Sequence, residues 1–304
     1  MKILILDCNN LLHRTFWVAK NQIDNTDTGP ITVHLFMNSI MNYVTQFKPG
    51  KIYAVWDKKL TYPSTNFRKE LLVNTYKANR DTSTREETHQ YDDKLEALLS
   101  HLGISNIFPN KMEADDVIAW LTHNLSTLPQ HEITIVTVDK DMLQLIKSNV
   151  NVYSPIKKEL ITETNFEFQN KDVPLKYFLT LKALTGDQSD NIDGIQGIGP
   201  KKGLKLAKEI IDSGNTDCLT DEQKVIYLRN MSIMDLTKGY LYEDEYKIYA
   251  NQLETLTDKR NFNAFVNICK ELALNRIISN KDKWYRTFFE ANKLSRLVEQ
   301  LGLH

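Results

Sequence analysis

What this chain has little of narrows it first. Its three cysteines, Cys8, Cys218 and Cys269, are odd in number and far apart, so neither a disulfide framework nor a thiolate zinc site is expected. No apolar run approaches the ~20 residues that a membrane-spanning helix needs. The N-terminal run from Lys2 to Leu6 meets Asp7 too early to be a signal-peptide core, so the expectation is an intracellular, cytoplasmic chain. There is no polar low-complexity tract, and 41% of the 304 residues are hydrophobic, so a folded core is expected rather than disorder. Net charge is nearly absent too: 38 Lys+Arg against 39 Asp+Glu leaves −1, where a protein basic all over would announce nucleic-acid binding.

That average conceals a partition. Between Lys58 and Arg85, seven basic residues (Lys58, Lys59, Arg68, Lys69, Lys77, Arg80 and Arg85) face only Glu70 and Asp81. Between Lys201 and Lys208 there are four lysines and no acid. The acids gather elsewhere, in short pieces beside apolar runs.

Those apolar runs set the architecture. Lys2–Leu6, Ile52–Trp56 and Ile133–Val138 have the length and β-branched content of buried parallel strands, and Ile104–Phe108 is a shorter fourth. Helical stretches at Ile31–Gln46 and Asp115–Leu125 alternate with them, which predicts an α/β fold with a mostly parallel central sheet. From Pro63 to Gly103 neither glycine nor proline intervenes. Arg68–Asn79 can be helical there, and Ser83 with Glu86 forms a capping-box pattern, so the segment reads as a projecting insertion. Tyr91, Leu95, Leu98, Leu99 and Leu102 then form a helical stripe that packs on the sheet. Beyond Pro174 the strand signals fade into helices. We divide the chain at 1–172, an α/β core with a helical insertion at about 60–90, and 173–304, a helical region with a helix–turn–helix element at about 175–211 that docks on the first.

The chemistry-bearing residues fall at strand ends. Asp7, Asp57 and the pair Asp139 and Asp141 each follow a predicted strand, and Glu113, Asp115 and Asp116 open the helix after the fourth. Ligands of open parallel sheets sit beyond the carboxyl ends of the strands, so these acids converge on one rim. Asp187 and Asp190 close the helix that follows Pro174. One aspartate after one strand is commonly a turn or cap residue. Recurrence at successive strands is not explained that way, because carboxylates held together repel and are driven to protonate. Divalent cations compensate, and a set with no His or Cys favours Mg²⁺ or Mn²⁺. More acids than one ion uses suggest two ions.

The basic residues complement that rim. Gly194, Gly197 and Gly199 lie in a turn followed by Pro200 and the lysines Lys201, Lys202 and Lys205. Open backbone N–H groups at a helix start, with clustered lysines, suit nucleic-acid phosphates without reading bases. The bland alternative is a helix–helix turn with a solvated lysine face. In the insertion, Lys69, Tyr76 and Arg80 share one helical face beside Lys77, a pattern that suits phosphates and stacked bases of a single strand.

At this point the residues resemble a known family, the 5′-nuclease or flap endonuclease superfamily, in its short bacteriophage and bacterial 5′–3′ exonuclease branch, the phage ribonuclease H-like type included. The likeness rests on Asp7-Cys-Asn-Asn-Leu-Leu-His-Arg14, Val55-Trp56-Asp57, Phe67-Arg68-Lys69 with Tyr76-Lys77-Ala-Asn-Arg80, Glu113-Ala-Asp115-Asp116, Asp139-Lys-Asp141-Met-Leu-Gln144, and Gly186-Asp187-Gln-Ser-Asp190-Asn191, in family order. It implies a PIN-like nuclease core with a helical arch at the insertion and a helix–hairpin–helix DNA-binding motif at the glycine turn. It also implies two Mg²⁺ ions, with Asp7, Asp57, Glu113, Asp115 and Asp139 near one, Asp141, Asp187 and Asp190 near the other, and Asp116 accessory. Lys77 and Arg80 would contact the scissile phosphate. Arg68, Lys69, Tyr76, the three turn glycines and Lys201, Lys202 and Lys205 would bind nucleic acid, with a K⁺ ion at the hairpin.

The implied function is a Mg²⁺-dependent, structure-specific 5′ nuclease, acting as 5′–3′ exonuclease and flap endonuclease on branched, nicked or flapped DNA and RNA/DNA hybrids and removing RNA primers during replication. A monomer is expected, with a single-strand-binding protein, clamp or polymerase of the replisome as partners, and the chain reads as a stand-alone phage enzyme in the host cytoplasm. The rival is a non-catalytic structure-specific DNA clamp with the same fold. Cys8 stands where the family commonly has glycine, Asp193 where it has proline, and Gly203 where it has a small residue such as alanine; Asp193 puts a negative charge beside the glycine turn.

Overall fold

The structure is a computed structural model and describes residues 1–21, 28–57, 68, 71–72, 77, 90–109, 112–170, 172–238, 247, 250–251, 253 and 259–290. Most of the expected arch, with Lys69, Tyr76 and Arg80, lies outside the described residues.

Parallel strands need crossover connections, and the alternating sequence supplies them. β1 (Lys2–Asp7) leads through α1 (Cys8–Lys20) and α2 (Gly29–Phe47) to β2 (Lys51–Val55). After α3 (Asp92–His101) comes β3 (Ser105–Ile107), then α4 (Ala114–Leu125) and β4 (Glu132–Val136). A 3₁₀ turn (Lys140–Leu145) leads to β5 (Val150–Ser154) and β6 (Glu159–Ile161). The sheet runs in the order β3-β2-β1-β4-β5-β6, parallel except for antiparallel β6. Thus the four expected strands form, and two more extend the sheet at one edge.

The strand period of two assigns the faces. Leu4, Leu6, Ala54 and Trp56 point into one core with Phe36, Met37, Ile40, Leu95, Leu98 and Leu99. Ile3, Ile5, Val55, Ile133 and Ile135 point into the other, against Val117, Ile118 and Leu121 of α4. The late helices α9 (Phe262–Glu271), α10 (Asn275–Ser279) and α11 (Lys281–Tyr285) bring Phe265, Cys269, Ile277 and Trp284 onto the first face. These late helices therefore pack on the α/β core itself. Numbering them in chain order, the elements between are α5 (Phe166–Gln169), α6 (Leu175–Thr185), β7 (Gly186–Asp187), β8 (Ile192–Asp193), α7 (Pro200–Ser213) and α8 (Asp221–Met234). Phe166 of α5 joins the second core, while α6, α7, α8 and the hairpin between build a third around Tyr177, Leu184, Ile195, Ile198, Ala207 and Ile210, which also takes in Leu72. Among the described residues no helix is long and apolar enough to cross a membrane.

Candidate active site

Sheet register decides which acids meet. Asp7 lies opposite Val55, and Leu6 opposite Val136, so Asp7, Asp57 and Asp139 leave three adjacent strands on the same edge. Asp7 is only 4% exposed and accepts a hydrogen bond from Thr137 Oγ1 at 2.6 Å. Burial first, and then Asp139 and Asp57, raise its carboxyl to about 7 against the opposing Thr137 bond. Asp57 is anchored on both sides. Its N–H donates to Asn9 Oδ1 (2.6 Å), and its Oδ1 accepts from Ala114 N–H (2.7 Å) at the start of α4. Glu113 caps α4, and burial followed by the Asp139 charge, with Asp7 and Glu113 adding, pushes Asp115 well above the carboxylate range despite Lys77. Asp139 accepts from Asp141 N–H at 2.8 Å, which ties the next acid to the same loop.

The second group comes from the hairpin. β7 pairs with β8, placing Asp187 opposite Ile192 in the rung next to the turn and Asp190 within that turn. Lys182, in the last turn of α6, bridges Asp141 and Asp187, the latter at 2.7 Å. Burial and the neighbours Asp139 and Asp187 lift Asp141 to about 6 against Lys182. Burial would raise Asp187 as well, but Lys182 and the Ser189 hydrogen bonds outweigh it and hold that carboxyl at about 2. Burial likewise opposes the charge on Lys182, and the two aspartates overcome it, keeping its pKa above the ordinary lysine value. Sequence reasoning did not single out Lys182; its one sign was a lysine inside the apolar run Leu179–Leu184.

The first and second groups are linked through Lys77. Its Nζ donates to Glu113 at 2.8 Å, while its backbone N–H donates to the carbonyl of Asp190 at 3.0 Å. Its φ of 56° is left-handed, a conformation that costs a non-glycine residue roughly 1–2 kcal/mol and is held here by that contact.

Two residues of the expected set, Arg68 and Asp116, are paired with each other. Arg68 is 3% exposed: its guanidinium grips both oxygens of Asp116 (2.8 and 2.6 Å), its Nη1 stands 3.6 Å from Glu113 Oε2, and its Nε donates to the Ile233 carbonyl. Asp116 in turn accepts from Arg68 and from the Glu113 N–H at 3.3 Å, and so braces the helix start from which Glu113 and Asp115 project. The turn holds its glycines in two different settings. Gly194 packs against the Thr185 carbonyl and Gly186, where a Cβ has no room, so its glycine serves hairpin closure. Gly197 (φ 75°) and Gly199 instead face open space. Pro200 starts α7, and Lys201, Lys202 and Lys205 are exposed, with no salt bridge among the described residues.

No three of these acids close to metal-binding geometry among the described residues; the protein's own donors and two lysines hold them. The donor chemistry nevertheless fits a hard divalent cation. The ligands are carboxylate oxygens, and three of the carboxyls are raised above their ordinary pKa by burial first and by the neighbouring carboxylates second.

Comparison with known proteins gives the same direction. Residues 2–177 match the family described as 5′-3′ exonuclease, N-terminal resolvase-like domain. A 5′-3′ exonuclease of Bacillus subtilis is 34% identical over 68% of this chain and 70% of its own length. One from Mycoplasmopsis pulmonis is 28% identical over 89% of this chain and 88% of its length. In fold, the bacteriophage T5 D15 flap endonuclease, solved as a pseudo-enzyme-product complex with DNA and metal ions, superposes with a TM-score of 0.66 at 21% identity, covering 84% of this chain and 99% of that one. A carboxylate rim on a parallel sheet and a family match over more than half the sequence agree: the chain belongs to the 5′-3′ exonuclease family and is a 5′ nuclease.

Proposed function

We propose that this 5′ nuclease is structure-specific and metal-dependent, hydrolysing phosphodiesters near the 5′ end of branched, nicked or flapped DNA and of RNA/DNA hybrids, and so removing primers and flaps during replication. The observation that carries it is the row of acids at one edge of the sheet, buried Asp7 with half-buried Asp57 and Asp139 after adjacent strands and half-buried Glu113 and Asp115 at the start of α4, with the carboxyls of Asp7 and Asp115 raised well above their ordinary value. These five would hold one Mg²⁺, and Asp141, Asp187 and Asp190 would hold a second, with Mn²⁺ able to replace either. Such ions supply Lewis-acid stabilisation of charge on phosphoryl oxygens. Asn9 and Thr137 orient the acids, so that the donor set is preorganised before substrate arrives.

Lys77 brings an ammonium to the mouth of the rim, 2.8 Å from Glu113, where it meets the scissile phosphate, a contact we also assign to Arg80. Lys201, Lys202 and Lys205, with the open backbone at Gly197 and Gly199, hold duplex phosphates as a helix–hairpin–helix motif, with K⁺ at its turn. Lys69 and Tyr76 receive the single strand. The protein works as a cytoplasmic monomer beside the polymerase, clamp or single-strand-binding protein. The T5 enzyme's complex with DNA and metal ions supports the substrate and cofactor class.

Cleavage of a 5′-flapped duplex, labelled at the 5′ and separately at the 3′ end, tests this with Mg²⁺ and then EDTA. Short 5′ products that require Mg²⁺ are expected, and their lengths separate stepwise exonuclease from flap cutting. Equal cleavage of blunt duplex and flap, or full cleavage in EDTA, would sink the reading.

A further inference from the structure

Asn230 is fully buried, in α8, far along the chain from every acid of the site. Its one amide nitrogen donates to two carbonyls, Ala183 O at 2.8 Å and Asp193 O at 2.9 Å. Its oxygen accepts from Arg229 Nε and Nη2, and Arg229 Nη2 also donates to Asp193 O at 3.1 Å. Every hydrogen-bonding position of the amide plane is thus engaged, in a dry setting where an incomplete set would be costly.

The two carbonyls are not arbitrary. Ala183 follows Lys182, whose ammonium joins Asp141 to Asp187. Asp193 pairs across β7 with Gly186, the residue before Asp187. A single side chain therefore fixes the backbone on both sides of Asp187, with Asp190 in the turn between. One turn further along α8, about 6 Å, the same helix is held by the loop that carries Asp139 and Asp141. Gln144 Nε2 donates to Met234 O at 3.0 Å, and Gln144 Oε1 accepts from Leu236 N–H at 2.9 Å. The end of α8 is a strut: the hairpin acids are fastened at Asn230, the sheet acids at Met234 and Leu236.

We propose that Asn230 is a positioning residue that sets where Asp187 and Asp190 stand relative to Asp141, and through that spacing the affinity of the second divalent ion. The inference rests on the two-ion reading above. Partners behind metal ligands are typically worth ten- to hundredfold in metal affinity.

The test is Mn²⁺ binding to the metal-free full chain, without DNA, by isothermal titration calorimetry. Wild type, Asn230→Leu and Asp187→Asn are compared, with thermal unfolding measured on each. Wild type is expected to bind two ions and Asp187→Asn one tightly. Asn230→Leu should weaken one site at least tenfold and leave the other unchanged. Its Mn²⁺ midpoint for cleavage should rise by the same factor, with KM for the flapped duplex within twofold at saturating Mn²⁺. If Asn230→Leu does not fold, Arg229→Ala, which removes one of the two donors on Asp193 O, should shift the same site in the same direction by about threefold. A wild-type isotherm in a folded but less stable Asn230→Leu, or in folded Arg229→Ala if that variant has to stand in, would reduce Asn230 to a structural amide and overturn the inference alone. Asp187→Asn indistinguishable from wild type would overturn the two-ion reading beneath it.

Discussion

Arg68 and Asp116 show how a residue's role depends on what surrounds it. In the sequence both look functional, one basic in a basic stretch and one acidic in an acidic motif. In the fold they neutralise each other at 3% and 6% exposure. Removing one partner leaves a buried charge, which costs about 3–5 kcal/mol, whereas replacing both is far milder. Arg68→Met should therefore lower unfolding stability in denaturant by that amount, and Arg68→Met with Asp116→Leu should recover most of it. A single substitution costing under about 1 kcal/mol would show the pair to be solvated. Asp141 is the opposite case. It faces Lys182 and, through it, Asp187. Asp141→Asn should abolish cleavage while flap binding in EDTA stays within about threefold; wild-type rates in that variant would remove Asp141 from the metal set.

At the scale of the element, the hairpin and turn between α6 and α7 contain glycines of two kinds. Gly186 (φ 79°) and Gly194 approach backbone so closely that a Cβ at either would fall on main-chain atoms, whereas a Cβ at Gly199 meets nothing. Gly194→Ala should disrupt the hairpin and with it Asp187, read as lost cleavage and a lower Tm. Gly199→Ala, at an ordinary φ of −86°, should leave Tm unchanged. The lysines that follow are exposed, and each phosphate no longer neutralised by a lysine reduces the slope of log K against log salt by about 0.9. Lys201→Ala with Lys202→Ala should lower duplex affinity and flatten that slope by about two; an unchanged slope would make them a solvated face. Arg229 stands against the Asp193 carbonyl, so a positive charge accompanies the aspartate that departs from the family pattern.

Over the whole molecule, the site stores electrostatic strain that the rest of the fold must carry. Without metal, Asp7 is raised to about 7 and Asp141 to about 6, from an ordinary 3.8. The folded chain therefore binds more protons than the unfolded one from about pH 4 to 7, and stability falls as pH rises through that window. Asp187, held at about 2, acts oppositely, but only in acid below its ordinary value. In EDTA, Tm should thus be higher at pH 5 than at pH 8, and Mg²⁺ should raise it more at pH 8, where the acids are ionised. A Tm flat across that range in EDTA, or an equal gain from Mg²⁺ at both pH values, would contradict this balance.

Much of this protein is written locally. The strands at Lys2–Asp7, Lys51–Val55 and Glu132–Val136 declare themselves because apolar runs bounded by polar residues are a short-range signal, and the acids that end them follow by direct reading. β5 and β6 did not declare themselves: Val150–Ser154 is interrupted by Asn151, and three residues, Glu159–Ile161, are too few to show a period. What the chain could not reveal in one dimension is pairing across long separations. Arg68 meets Asp116 and Ile233, Lys182 meets Asp141, and Asn230 meets Ala183 and Asp193. By itself the sequence determined four of the six strands, the acids that follow them and the family, because residue type and spacing carry them. Only the tertiary structure decided which charges face the rim and which neutralise each other in the interior, because burial and distance, on which a charge's role depends, exist only in the folded chain.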